Sequence, residues 1–263
     1  MLGAISAIET AVHDGRFGVE SEPIMDITKQ TKLVGSEMLI RMYTPRGDRI
    51  MPSQFIPFAE EFDIIGDIDR WAITLAIAHV ARYGECAFIN LSASSVTDTA
   101  LVDFIIATAD HYKVPPALLV FEVTETAPIR CTATAASVLG QLRAIGSRTA
   151  LDDFCTGHCA FANLLDLPID YVKISGRHTC ALGDQRVRNA VSFFAKTAHD
   201  HGKEVIGEFV RDWETANALG ELGINLIQGE LARTVHRAGP PNGSRPDYRG
   251  NFTSVTTARC VSR

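Results

Sequence analysis

The run CAFINLSASSVTDTALVDFIIATADHYKVPPALLVFEV, residues 86–123, reads as strand, helix, strand. Cys86–Leu91 is an apolar run of strand length, Thr99–Tyr112 is a helix closed by Pro115-Pro116, and Leu118–Val123 is a second apolar run. Short apolar strands separated by helices are the unit of a parallel sheet with helices packed on it. Toward the C-terminus the alternation continues. Cys131–Ile145 is a helix with Gly146 just past its end, Arg148–Leu151 a strand, and Ala160–Leu165 a short helix. Tyr171–Ile174, Gln185–His201, Glu204–Gly207, Trp213–Leu222 and Ile224–Gln228 then follow as strand, helix, strand, helix, strand. Toward the N-terminus the pattern changes. Leu2–His13 is an amphipathic helix, and the strands Phe17–Ile24 and Leu33–Met42 are joined by about eight residues, too few for a helical crossover. Those two strands are expected to run antiparallel. A turn at Pro45–Asp48 leads into a helical pair, Ser53–Phe62 with Ser53 as N-cap and Asp67–Tyr83. Eight short strands with helices between most of them predict an α/β fold, a (β/α)8 TIM-like barrel with the first strand antiparallel.

Length and composition agree with one such domain. The chain has 263 residues, 46% hydrophobic and 21% charged, which excludes a disordered or collagen-like chain. The most apolar stretch, Trp71–Ala81, is broken by Thr74 and His79, so no membrane insertion is expected. The N-terminus has no basic leader and carries Glu9 and Asp14, so the expected location is the cytoplasm. The net charge of −6 is uneven: residues 237–263 carry +4, leaving −10 on residues 1–236. We therefore expect a barrel domain over 1–236 and a disordered basic tail over 237–263. An acidic body argues against a nucleic-acid polymer as partner and suits a site built from carboxylates. Six cysteines include no C-x-x-C pair and read as reduced thiols; the Cys155-Thr-Gly-His-Cys159 cluster is not read as a zinc site, because four-coordinate sites usually need a second ligand pair elsewhere.

In a (β/α)8 barrel the chemistry sits where strands end. The polar residues that end or interrupt these strands are Glu37, Asn90, Glu122, Asp152 with Asp153, Lys173, Glu208 and Gln228. One strand-end acid is most often a loop or helix cap. Seven strands each contributing such a residue is not explained by capping. Five carboxylates on one rim repel each other unless cations neutralise them. An oxygen-rich set with an Asn amide points to Mg²⁺ or Mn²⁺. Two ions bridged by an aspartate match the clamp used in phosphodiester hydrolysis.

The strings Ser36-Glu-Met-Leu-Ile-Arg41, Phe55-Ile-Pro-Phe-Ala-Glu-Glu61, Ile89-Asn-Leu-Ser-Ala93, Phe121-Glu-Val-Thr-Glu-Thr126 and Leu151-Asp-Asp-Phe-Cys-Thr-Gly157 occur in that order. Leu167-Pro-Ile-Asp-Tyr-Val-Lys-Ile174, Val205-Ile-Gly-Glu208 and Gln228-Gly229 follow. Together they resemble the EAL domain family of cyclic di-GMP phosphodiesterases over residues 1–236. The resemblance implies a barrel with one antiparallel strand, and hydrolysis of cyclic di-GMP to linear pGpG with two Mg²⁺ or Mn²⁺ ions. It implies Glu37, Asn90, Glu122 and Asp152 as ligands of one metal, with Asp152, Asp153 and Glu208 on the second. It implies Lys173 as the residue orienting the attacking water, Gln228 holding a further water, and Arg41 gripping a substrate phosphate. Glu125 would anchor the loop after Asp153, which in that family couples dimerisation to metal binding. A homodimer or a protein partner is thereby left open as the source of a signal.

The chain also departs from the pattern. Met38 replaces the signature Ala, and Glu22 stands where a substrate-contacting Gln usually precedes Pro-Ile. Cys155, His158 and Cys159 alter the coupling loop, and Ser175 replaces an Asp after Lys-Ile. Glu208-Phe-Val-Arg211 stands where the family has Glu-Gly-Val-Glu, placing a cation near the expected second metal. Two readings result: a working phosphodiesterase, supported by the complete ligand set, or a non-catalytic module that binds cyclic di-GMP or a protein partner.

Overall fold

The computed structural model describes residues 2–28, 32–124, 132–154 and 164–238. Two long strands open the sheet, β1 (Phe17–Asp26) and β2 (Lys32–Tyr43), paired antiparallel with Phe17 opposite Met42 and Glu22 opposite Glu37. A two-residue strand, β3 (Arg49–Ile50), adds to β2. From β2 onward the neighbours are parallel: β4 (Ala87–Leu91), β5 (Leu119–Thr124), β6 (Arg148–Phe154), β7 (Tyr171–Ile174), β8 (Glu204–Gly207) and β9 (Leu226–Gln228). β9 then pairs antiparallel with β1, closing an eight-stranded barrel in which β1 alone runs against the rest. The expected (β/α)8 barrel with an antiparallel first strand is the fold.

Helices cover the outside. Those of eight residues or more among the described residues are α1 (Leu2–Asp14), α2 (Pro52–Glu61), α3 (Ile65–Tyr83), α4 (Leu101–Tyr112), α5 (Thr132–Ala144), α6 (Gln185–Asp200), α7 (Trp213–Gly220) and α8 (Glu230–Ala238). α3 shows why they dock. Ile68, Ala72, Ile73, Leu75, Ala76, Ile77 and Val80 form a wide buried face, and Gly84 ends the helix in the left-handed region with its N–H on Val80 O. No helix among the described residues is long and apolar enough to cross a membrane.

Alternation along the strands builds two layers inside the barrel. Every second residue of a strand points inward. The inward residues Phe88, Val120, Ala150, Tyr171, Ile206 and Leu226 form one apolar plug with Ile24 and Cys86. Two residues further along each chain come Asn90, Glu122, Asp152, Lys173, Glu208 and Gln228. The intervening residues, such as Ile89, Phe121, Leu151, Val172 and Ile227, pack outward beneath the helices. The polar set is thus the upper interior layer, seated on a dry floor. On β2 the floor position is Gly35, where an added Cβ would come within 2.7 Å of Cys86 O.

Some elements differ from the sequence expectation. α2 begins at Pro52 rather than Ser53: Met51 is the N-cap, and the Gln54 side chain accepts from Met51 N–H at 3.0 Å. β6 runs on to Phe154, so the aspartates belong to the strand. The expected helix Ala160–Leu165 lies largely outside the described residues, as does the expected tail over 237–263, of which Arg237 and Ala238 are described and form the end of α8.

Gly229, directly after β9, is a position where only glycine fits. Its φ is +135°, and an added Cβ would lie 2.6 Å from Val210 N and 2.7 Å from Val210 O. Both clashes are with backbone, which cannot swing aside. Gly229→Ala is expected to cost roughly 2–4 kcal/mol, read as a lower urea midpoint with unchanged slope.

Candidate active site

Lys173 is the centre of the polar layer. It is wholly buried, and its ammonium donates to Glu37 Oε2 at 3.0 Å and Glu122 Oε2 at 3.1 Å. Glu208 Oε1 lies 3.1 Å away and Asp152 Oδ1 3.2 Å away as further ion-pair partners. Glu37 is the second hub: Asn90 Nδ2 donates to its Oε1 at 2.7 Å, and Gln228 Nε2 to its Oε2 at 2.6 Å. Residues separated by up to 191 positions in the chain meet here because barrel closure places their strands side by side.

One ammonium cannot neutralise four carboxylates, and the titration of the groups reflects that. Burial pushes Glu122 well above the ordinary carboxylate value, and the charges of Glu37 and Asp152 add to the shift. Burial likewise raises Glu208 to about 8, against the pull of Lys173. Glu37 is held below its ordinary value, because Lys173 and the hydrogen bonds from Gln228 and Asn90 outweigh its burial. Lys173 itself is held firmly charged: burial opposes the charge, but Glu122, Glu37, Asp152 and Glu208 overcome it.

The structure thus brings together Glu37, Asn90, Glu122, Asp152, Lys173, Glu208 and Gln228. Asp153 stands apart in burial: it is exposed, with φ +53° turning the chain just past Asp152. Arg41 is buried and clamped by Glu20, which accepts from Nε at 3.0 Å and lies 2.9 Å from Nη2, while Nη1 donates to Ile40 O at 2.9 Å. Glu22, opposite Glu37 across the strand pair, is paired by Arg233 of α8 at 3.2 Å. Burial raises its carboxyl above the ordinary value, with Arg233 opposing. Arg211 is exposed. Glu125 and the altered loop with Cys155, His158 and Cys159 lie outside the described residues.

Three supporting residues escaped the sequence reading. Glu20 and Arg233 act only through strand register and barrel closure, which no local pattern announces. Asp69 left a signal: it is an acid on the buried face of α3, and it accepts from Ser92 N at 3.0 Å, fixing the turn after Asn90. Among the described residues no three His, Cys, Asp or Glu side chains are spaced as a metal cage; the oxygens converge on an ammonium.

Residues 5–234 match the model of the EAL domain. The chain belongs to the EAL domain family. It is 31% identical over 231 residues to cyclic di-GMP phosphodiesterase PdeB of Shewanella oneidensis, covering 84% of this chain and 27% of that protein. It is 32% identical over 228 residues to signaling protein YkoW of Bacillus subtilis, covering 84% of this chain and 28% of that one. This EAL chain therefore spans less than a third of the length of these curated relatives. Among solved structures it resembles the PaMucR phosphodiesterase in its c-di-GMP complex, with a TM-score of 0.80 and 25% identity over 88% of this chain and 96% of that one. The FimX EAL domain from Pseudomonas aeruginosa bound to c-di-GMP shares the fold, with a TM-score of 0.80 at 23% identity over 86% and 93% of the two chains.

Proposed function

We propose that this EAL domain hydrolyses one phosphodiester bond of cyclic di-GMP to give linear pGpG, using two divalent cations, Mg²⁺ or Mn²⁺. The observation that carries the reading is the convergence of Glu37, Glu122, Asp152 and Glu208 with Asn90 and Gln228 around one buried ammonium. The donor chemistry fits hard cations. Glu122 Oε1 and Gln228 Oε1 are buried acceptors without a hydrogen bond, and a buried acceptor is costly unless something pairs with it. Following the motif positions, Glu37, Asn90, Glu122 and Asp152 would hold one ion, and Asp152, Asp153 and Glu208 the other. Such ions, when bound, supply positive charge to the attacking and leaving oxygens of an in-line displacement.

The chain's own side chains do the rest. Lys173 has three N–H donors among four carboxylates at 3.0–3.2 Å, so it would orient a water for attack on phosphorus with a donor released from one of those carboxylates. The amide of Gln228 donates to Glu37, which leaves Oε1 facing inward as an acceptor for a water hydrogen. Three of the five N–H groups of Arg41 are turned to Glu20 and Ile40, leaving two for a phosphate oxygen. Glu22 does not present a bare charge to an anionic substrate, because Arg233 neutralises it.

Purified protein incubated with cyclic di-GMP and Mn²⁺ should release pGpG, resolved by chromatography. Absence of product from folded protein that still binds the dinucleotide would make the chain a binding module.

A further inference from the structure

The segment after Glu208 carries an aromatic side chain in an unusual setting. Phe209 has φ +54°, a conformation that glycine adopts freely and a bulky residue holds only against strain. The residue is 60% exposed, so burial in a core does not compensate for that strain. Two glycines make the placement feasible. A Cβ built at Gly176 would lie 2.3 Å from Phe209 Cδ2 and 2.6 Å from Cγ, so the ring rests against bare backbone there. A Cβ at Gly229 would come within 2.9 Å of the Phe209 carbonyl carbon. The next residue is locked in place: Val210 N donates to Gln228 O at 2.9 Å, and Val210 O accepts from Leu231 N at 3.0 Å.

The backbone beside Phe209 is therefore held, and its exposed side chain lies on the rim between β7 and β8. Gly176 lies three residues past Lys173, and Phe209 one residue past Glu208, the two ends of an ion pair at the centre of the site. Exposed Arg211 and Trp213, itself 49% exposed, continue the same segment. A solvent-facing π surface at the rim of a polar site is the arrangement by which proteins stack nucleobases.

We infer that Phe209 is a stacking platform for a guanine base of cyclic di-GMP, positioning the dinucleotide over the Glu37–Lys173 cluster. The inference rests on the phosphodiesterase reading above and adds to it a substrate-contacting residue at a position where the family pattern has glycine.

The test is steady-state pGpG formation with Mn²⁺ by wild type, Phe209→Ala, Phe209→Gly and Phe209→Trp, with a melting temperature for each. Base–aromatic stacking predicts a KM raised about tenfold in Phe209→Ala and Phe209→Gly, with kcat moved by less than about twofold. Phe209→Trp should restore most of the affinity, and its added indole emission should be quenched when cyclic di-GMP is mixed in. Phe209→Gly should melt no lower than wild type, since glycine relaxes the backbone. That separates lost binding from lost fold. Wild type that turns over while Phe209→Ala keeps the wild-type KM would overturn the stacking role alone. Wild type that forms no pGpG would overturn the phosphodiesterase reading; if it still binds cyclic di-GMP, equal binding by Phe209→Ala would overturn the stacking role as well.

Discussion

Glu37→Ala is expected to cut pGpG formation by more than about a hundredfold while leaving the barrel folded. Residues that merely orient metal ligands typically cost tenfold to a hundredfold when removed, and Glu37 would be a ligand itself. It also accepts from Asn90, Lys173 and Gln228, so its loss frees three neighbours at once. The fold should survive, because the substitution removes one of four mutually repelling carboxylates and Lys173 keeps Glu122, Asp152 and Glu208 as partners. The stranded amides of Asn90 and Gln228 should cost about 1–3 kcal/mol, seen as a melting point lower by several degrees. Chromatography of product beside circular dichroism checks both halves. Equal pGpG release by wild type and variant would remove Glu37 from the chemistry.

The barrel was legible because its strands are short apolar runs whose interior-facing residues change character along each strand. Phe88 and Asn90, Val120 and Glu122, Tyr171 and Lys173 each place an apolar residue in the floor and a polar one above it. That pattern survives in the sequence because side chains of a strand alternate strictly. The antiparallel start was legible from loop length alone. What escaped depends on pairings that no local stretch encodes. Glu20 reaches Arg41 because β1 and β2 pair with Gly18 opposite Arg41, which makes Glu20 its diagonal neighbour. Arg233 reaches Glu22 because β9 returns to β1 and carries α8 with it. The two-residue β3 has no periodicity to read, and Asp152-Asp153 looks like loop because it is a bulge: β6 pairs with β7 at Leu151 and again at Phe154, with the aspartates between.

The departures from the family pattern also look different once placed. Glu22 stood out as a carboxylate facing an anionic substrate, yet Arg233 answers it. Arg211 stood out as a cation beside a metal site, yet its side chain is exposed to solvent, where its charge is screened. Phe209 is a departure with a structural cost, since it holds a left-handed backbone that glycine would hold freely.

Lys173→Met should have the largest effect on stability, and the effect should depend on pH and on divalent ions. In the protein stripped of metal by a chelator, the ammonium is the shared counter-ion of Glu37, Glu122, Asp152 and Glu208. Removing one partner from a buried charge network costs about 3–5 kcal/mol, or roughly 6–20 °C in melting temperature for a chain of this size. The sign with pH follows from the raised carboxyls. Glu208 titrates near 8 and Glu122 well above the ordinary 4.5, so between those values the folded protein binds more protons than the unfolded chain. Stability therefore falls as pH rises through that window. Without the ammonium the carboxyls move further up, so the melting point of Lys173→Met should drop more steeply than that of wild type between about pH 5 and pH 8. Mn²⁺ should restore more of the lost melting temperature in the variant than it adds to wild type, because the ion supplies the charge the methionine lacks. Turnover should stay low even so, since no N–H remains to orient the water. A variant whose melting point matches wild type at every pH, with and without Mn²⁺, would show that Lys173 is not what holds the four carboxylates together.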